Sequence, residues 1–123
     1  MRRLLKLLLN LLRVRGKGIL PEYEGILVTV PGASFDLFYN KVHSYFGFID
    51  LTTLHHGDEI EISEYIRPWN NTEFRLHKVQ KFNGPLDTPL ISFPLKVLDC
   101  PAKIVLKQNT GMRREILYSF KYD

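Results

Sequence analysis

One cysteine in 123 residues, Cys100, leaves no intrachain disulfide to make, and no spaced set of Cys and His suits a structural zinc site. Stability must then come from packing, which a chain of this length with 45% hydrophobic residues can supply as one globular domain. Cys100 lies in "LDCPA", directly before a proline, the setting of a buried, inert thiol. A Gly-rich phosphate loop, a nucleophile elbow and a Ser/His/Asp set are also missing, so the sequence points away from an enzyme. Acid is absent from the first 17 positions, which hold six of the 17 basic residues: Arg2, Arg3, Lys6, Arg13, Arg15 and Lys17. The other eleven basic residues face all thirteen acids, so the net +4 divides into +6 at the start and −2 over the rest. Basicity in the opening segment therefore says nothing about a nucleic-acid face on the body.

That opening, "MRRLLKLLLNLLRVRGKG", has the pattern of an amphipathic helix over residues 1–18. At about 100° per residue, Arg2, Arg3, Lys6, Asn10, Arg13 and Lys17 share one narrow stripe. Leu4, Leu5, Leu7, Leu8, Leu9, Leu11 and Leu12 cover nearly all the remaining surface. Leucine, arginine and lysine favour helix, and Gly16 and Gly18 supply a stop. So wide an apolar face needs a partner. A transmembrane span does not fit, because about 15 helical residues reach only about 22 Å against a hydrocarbon core of about 30 Å. A secretory signal fits poorly, since Asn10 and Arg13 cut the apolar region and no small-residue cleavage site follows. Three partners stay open: an anionic lipid surface, a protein surface on this domain or a neighbouring subunit, and, least favoured, nucleic acid.

Residues 19–123 form a single domain with a strand-like pattern. "GILVTV" is a short β-branched run closed by Pro31 and Gly32. "SFDLFYNKVHSYFGFIDL" is aromatic and mixed, and Phe46, Phe48 and Ile49 are expected in the core. "EIEISEYIRP" places Ile60, Ile62 and Ile66 on one alternating face that Glu64 interrupts. After the "WNNTE" turn, "FRLHKVQKF" continues as a strand with Phe74, Leu76 and Phe82 on one parity, so the two runs predict a hairpin. "LISF" predicts a further short strand and "PLKVLDCP" a proline-bounded crossing. In "AKIVLKQ" and "EILYSFKY", Ile104, Leu106, Ile116, Tyr118, Phe120 and Tyr122 alternate inward. Short, evenly spaced strands with no second helical segment predict a mainly β fold, an antiparallel β-sandwich or jelly roll.

Four histidines raise the question of a metal, with His55, His56 and Asp58 close in sequence. Adjacent histidines in a turn do not converge on one ion without further ligands, so a solvated loop with Asp58 closing a turn is the simpler account. Glu59 and Glu61 alternate with isoleucines as the wet face of a strand, which favours solubility over a paired-carboxylate site. Asn70 begins an "NNT" sequon, of consequence only in a eukaryotic secretory pathway. Tyr65, Trp69 and Phe74, with Arg75 and Lys78 nearby, are the aromatic candidates for a binding surface. No cofactor or metal is expected.

Three stretches, "FGFIDLTTLHHGDEIEISEYIR", "NGPLDTPLISFP" and "KIVLKQNTGMRREILYSFKY", follow a pattern of G-x-I-D-L, L-x-x-G-D-x-(hydrophobic)-x-I, a Y-S-G-like turn followed by P-L (here with Phe82 and Asn83 before the glycine), and V-x-L-x-Q-x-x-G. It is met by Gly47, Ile49, Asp50 and Leu51; by Leu54, Gly57, Asp58 and Ile62; by Asn83, Gly84, Pro89 and Leu90; and by Ile104 or Val105, Leu106, Gln108 and Gly111. Over residues 46–122 the chain resembles small β-rich proteins encoded by archaeal and bacterial viruses and proviruses, often from thermophiles. The resemblance implies a virion structural role: a capsid, minor capsid or decoration protein. Its partners would be copies of itself and other virion proteins, with Arg2, Arg3, Leu4, Leu5, Lys6, Leu8, Leu9, Leu11, Leu12 and Arg13 as the anchor into membrane or neighbouring subunits. The alternative expectation is a β-sandwich module that binds carbohydrate or protein through Tyr65, Trp69 and Phe74. An oligonucleotide-binding barrel ranks third.

Overall fold

A computed structural model of the chain describes residues 22–40, 44–70, 72–97 and 100–122. The expected opening helix, residues 1–18 with its anchor positions, lies outside the described residues. Within them the chain is mainly β, with strands β1 Glu22–Val28, β2 Ser34–Asn40, β3 Ser44–Asp50, β4 Glu59–Ile66, β5 Arg75–Asn83, β6 Leu90–Val97, β7 Ala102–Thr110 and β8 Glu115–Tyr122. They form two four-stranded antiparallel sheets, the first in the order β1-β8-β3-β6 and the second in the order β2-β7-β4-β5. Consecutive strands β7 and β8 lie in different sheets, whereas β4 and β5 pair as the expected hairpin.

Strict alternation builds the core. In β7, Ala102, Ile104, Leu106 and Gln108 are buried while Lys103, Val105, Lys107 and Asn109 stay partly open, the signature of a strand with one wet face. Ile60 and Ile62 of β4, Ile116 and Phe120 of β8, and Tyr45 and Ile49 of β3 face the same interior. Rings tie the layers together. Phe38 of the second sheet lies 5.2 Å from Phe120 and 4.8 Å from Tyr45 of the first, and Phe93 lies 5.5 Å from Phe120 (centroid distances). A bulge between Asp36 and Phe38 turns both Leu37 and Phe38 inward.

Several sequence expectations are corrected. Ile49 is buried as expected, but Phe48 is exposed on the outer side of β3 and Phe46 shares its parity; Tyr45 joins Ile49 in the core, because odd positions face inward. Leu76 is exposed as well, since a bulge between Glu64 and Tyr65 shifts the register that would have aligned it with Phe82. Tyr118 is half-buried against the core, and Tyr122 has its side chain outside the described residues. Cys100 is half-buried rather than fully enclosed. The segment expected to cross between strands instead continues β6 through Pro94 to Val97. Proline is tolerated there because β6 is an edge strand and its register with β3 shifts between Tyr45 and Gly47.

Candidate functional site

The two sheets present unlike outer faces. On the second sheet, Lys107 of β7 pairs across to Glu61 of β4 and Glu61 to Lys81 of β5, an alternating row of charge. Asn109 Nδ2 donates to Glu59 Oε2 at 2.6 Å on the same face, so Glu59 and Glu61 occupy the wet side. On the first sheet, Ile26, Leu117, Asp50 and Leu90 stand side by side across β1, β8, β3 and β6. Ile26 is 62%, Leu90 57% and Leu117 51% exposed, and Phe48 and Val28 extend the apolar surface. Glu24 and Asp50 line the shallow depression these residues surround. This open apolar surface is a candidate interaction surface. Sequence reading missed it because Phe48 was assigned inward; the signal was the unbroken apolar run Ile26-Leu27-Val28 in β1.

Tyr65 and Phe74 of the predicted aromatic set are brought together by one cation. Lys103 Nζ lies 5.3 Å from the Tyr65 ring centroid and 5.0 Å from that of Phe74. Arg67 stands 5.5 Å from Phe74, whose ring also meets Tyr39 edge-on at 5.7 Å. Trp69 sits apart in the β4–β5 turn, 63% exposed, where Thr72 Oγ1 donates to its carbonyl at 2.8 Å. No ring contact among the described residues joins Trp69 to the pair.

Glu64, the misfit of the β4 pattern, is buried between the sheets and hydrogen-bonded. It accepts from the Tyr45 hydroxyl through Oε2, and its Oε1 lies 2.8 Å from His77 Nδ1. Burial, the hydrogen bond to Glu64 and the charge of Glu64 together push the Tyr45 hydroxyl well above its ordinary pKa, so it stays a proton donor. A cavity of about 360 Å³ opens beside this group, lined by Ile62, Glu64, Lys78, Gln80, Ser92 and Phe93.

His55 and His56 are exposed in the β3–β4 connection, and among the described residues no three His, Cys, Asp or Glu side chains are placed to hold a metal ion. Asp58 is buried and does more than close a turn. Its carboxylate accepts from the His55 amide at 2.8 Å, the Met112 amide at 3.1 Å and Arg114 Nε at 2.6 Å. Burial alone would raise its pKa, but Arg114 and the two amides outweigh that and hold the carboxyl below the usual range. Gly111, at φ +108°, leaves room for this carboxylate, which a β-carbon there would overlap. Gln108 Nε2 donates to the carbonyls of Thr110 at 3.0 Å and Met112 at 2.7 Å, and the Gly84 amide donates to the Asp58 carbonyl at 3.1 Å. Asp58, Gly84, Gln108 and Gly111, which carried the resemblance, thus converge on one loop junction and hold the fold.

No known protein family, curated protein or solved structure matches this chain.

Proposed function

We propose that the chain is a non-enzymatic structural protein of a virion, a jelly-roll subunit acting as a capsid, minor capsid or decoration protein. The observation that carries this reading is the strand order. Sheets ordered β1-β8-β3-β6 and β2-β7-β4-β5 agree with the eight-stranded double Greek key of a jelly roll, an architecture used by viral capsids and by lectins. The exposed apolar face of the first sheet supports assembly over an isolated existence, because such a face gains by burial against a partner. The resemblance over residues 46–122 points the same way. In this reading residues 2–13 contact a membrane or neighbouring subunits, the partners are other copies and other virion proteins, and the protein resides in the virion. Many weak contacts then sum through multivalency.

The test is sedimentation velocity together with flotation on anionic and neutral vesicles, for the full-length chain and for one lacking residues 1–17. Concentration-dependent oligomers, or flotation that needs the opening segment, are expected. A full-length chain that stays monomeric at its highest soluble concentration and floats with neither vesicle overturns the reading. A second reading, binding of carbohydrate or protein, is favoured by two separate features, the exposed Trp69 of the β4–β5 turn and the Tyr65–Lys103–Phe74 cluster. Glycan binding abolished by Trp69→Ala would select it, and silence across a broad glycan array would remove its carbohydrate form.

A further inference from the structure

The first sheet is patterned for cover on both sides. A sheet with one wet face alternates apolar and polar residues, whereas strands buried on both faces read as continuous apolar runs. In β1 the run is Ile26-Leu27-Val28, and in β8 it is Ile116-Leu117-Tyr118. Leu27, Ile116 and Tyr118 pack toward the core, which leaves Ile26, Val28 and Leu117 outside with Phe48 and Leu90. The central strand β7 of the second sheet has a run of its own, Ile104-Val105-Leu106, but Val105 stands on the outer side among Lys103, Lys107 and Asn109.

We infer that the outer face of the first sheet is the docking surface for the leucine face of residues 2–15 of the same chain. Composition, charge and reach all match. The segment offers leucines at helical spacing with five basic residues and no acid, and the outer face carries Glu24, Asp50 and Glu115 among its apolar side chains, with Lys121 as a cation of the same parity in β8. Fourteen residues of helix span about 21 Å, close to the width of four strands spaced about 4.8 Å apart. The chain enters the fold at β1, an edge strand of this very sheet. Six residues, the length of 16–21, have a reach of about 20 Å at most, enough to turn back over that face. So short a tether gives a high effective concentration and favours the chain's own face over that of another copy.

The inference stands without the assembly reading but bears on it: the apolar face which that reading offers to a partner is open only where the opening segment is displaced. Its consequence is that the leucines which would meet a membrane or a neighbour are covered in the free protein, so any such partner must compete with the sheet.

The experiment is a disulfide trap in the full-length chain with Cys100→Ser. Leu8→Cys combined with Leu117→Cys is expected to oxidise within one chain, giving a monomer of altered mobility on a non-reducing gel. The trap with Lys107→Cys in place of Leu117→Cys should yield about tenfold less. Equal yields at the two faces, or none at either, overturn the inference, and product found only as dimers overturns the assignment to the same chain. A second readout needs no cysteine. Ile26→Glu with Leu117→Glu, at exposed positions, should keep the β circular dichroism and raise tryptic cleavage at Arg13 and Arg15 by about tenfold, since cleavage follows the open population. Unchanged cleavage in a folded variant overturns it. Neither readout involves vesicles or oligomers, so its failure is distinct from failure of the assembly reading.

Discussion

Asp58 sits where the β3–β4 and β7–β8 connections meet, and its carboxylate holds both through the His55 and Met112 amides and Arg114. Asp58→Ala leaves two amides and a guanidinium without their acceptor. The expected loss is about 3 kcal/mol by urea denaturation, the low end for a broken buried pair because Arg114 still reaches water. The carboxyl is held below its ordinary value in the folded state, so the unfolded chain takes up the proton more readily. Its stabilisation is complete above the ordinary carboxylate pKa of about 4 and drains as pH falls through the folded value. Asp58→Asn should flatten the acid limb of a plot of melting temperature against pH. Tyr45 acts at the other limb. Its hydroxyl resists ionisation in the fold, so stability is full below about pH 10 and falls above it as the unfolded tyrosine ionises. Tyr45→Phe should remove part of that alkaline slope. At neutral pH it should cost about 1–3 kcal/mol, because Glu64 loses a donor inside the protein. The sequence marked Glu64 as a misfit but not its partners, since Tyr45 and His77 reach it from positions 19 and 13 residues away.

Among the strands, position in the sheet outweighs propensity. β5 is an edge strand with nearly every residue exposed, while β7 lies between β2 and β4 with every second residue buried. Amide hydrogen exchange is expected to be fastest in β5 and slowest in β7, although both read as strands of similar length in the sequence. Equal protection of the two would contradict the topology. Gly47 illustrates a close approach that spacing cannot reveal. A β-carbon on it would run into the Phe120 ring and lie 2.5 Å from the Ser119 carbonyl, so β3 and β8 would have to separate. Gly47→Ala is expected to destabilise by about 1–3 kcal/mol, the cost of overpacking a closed core, measured as a lowered midpoint in urea. The β4–β5 hairpin was legible because its turn residues and alternation agree. The outward placing of Phe48 and Leu76 was not, because parity within an aromatic run and a one-residue bulge are settled by contacts across the sheet.

For the molecule as a whole, the core joins residues from Leu37 to Phe120 and draws on both sheets. A chain lacking residues 1–17 is therefore expected to fold, with β circular dichroism unchanged and with more binding of an apolar dye at the uncovered first sheet. Loss of cooperative unfolding in that chain would show that the opening segment belongs to the core. The amino-acid sequence was sufficient for a mainly β class, for the division of charge between the first 17 residues and the rest, and for most inward positions of β4, β7 and β8, because each follows from local composition and a period of two. Which strands neighbour one another, how Asp58 and Glu64 are satisfied, and that Ile26, Phe48, Leu90 and Leu117 gather on one outer face while a charge row crosses the other depended on the folded chain. Those features arise between residues far apart in sequence, where pairing order and packing decide, and no local pattern encodes the partner.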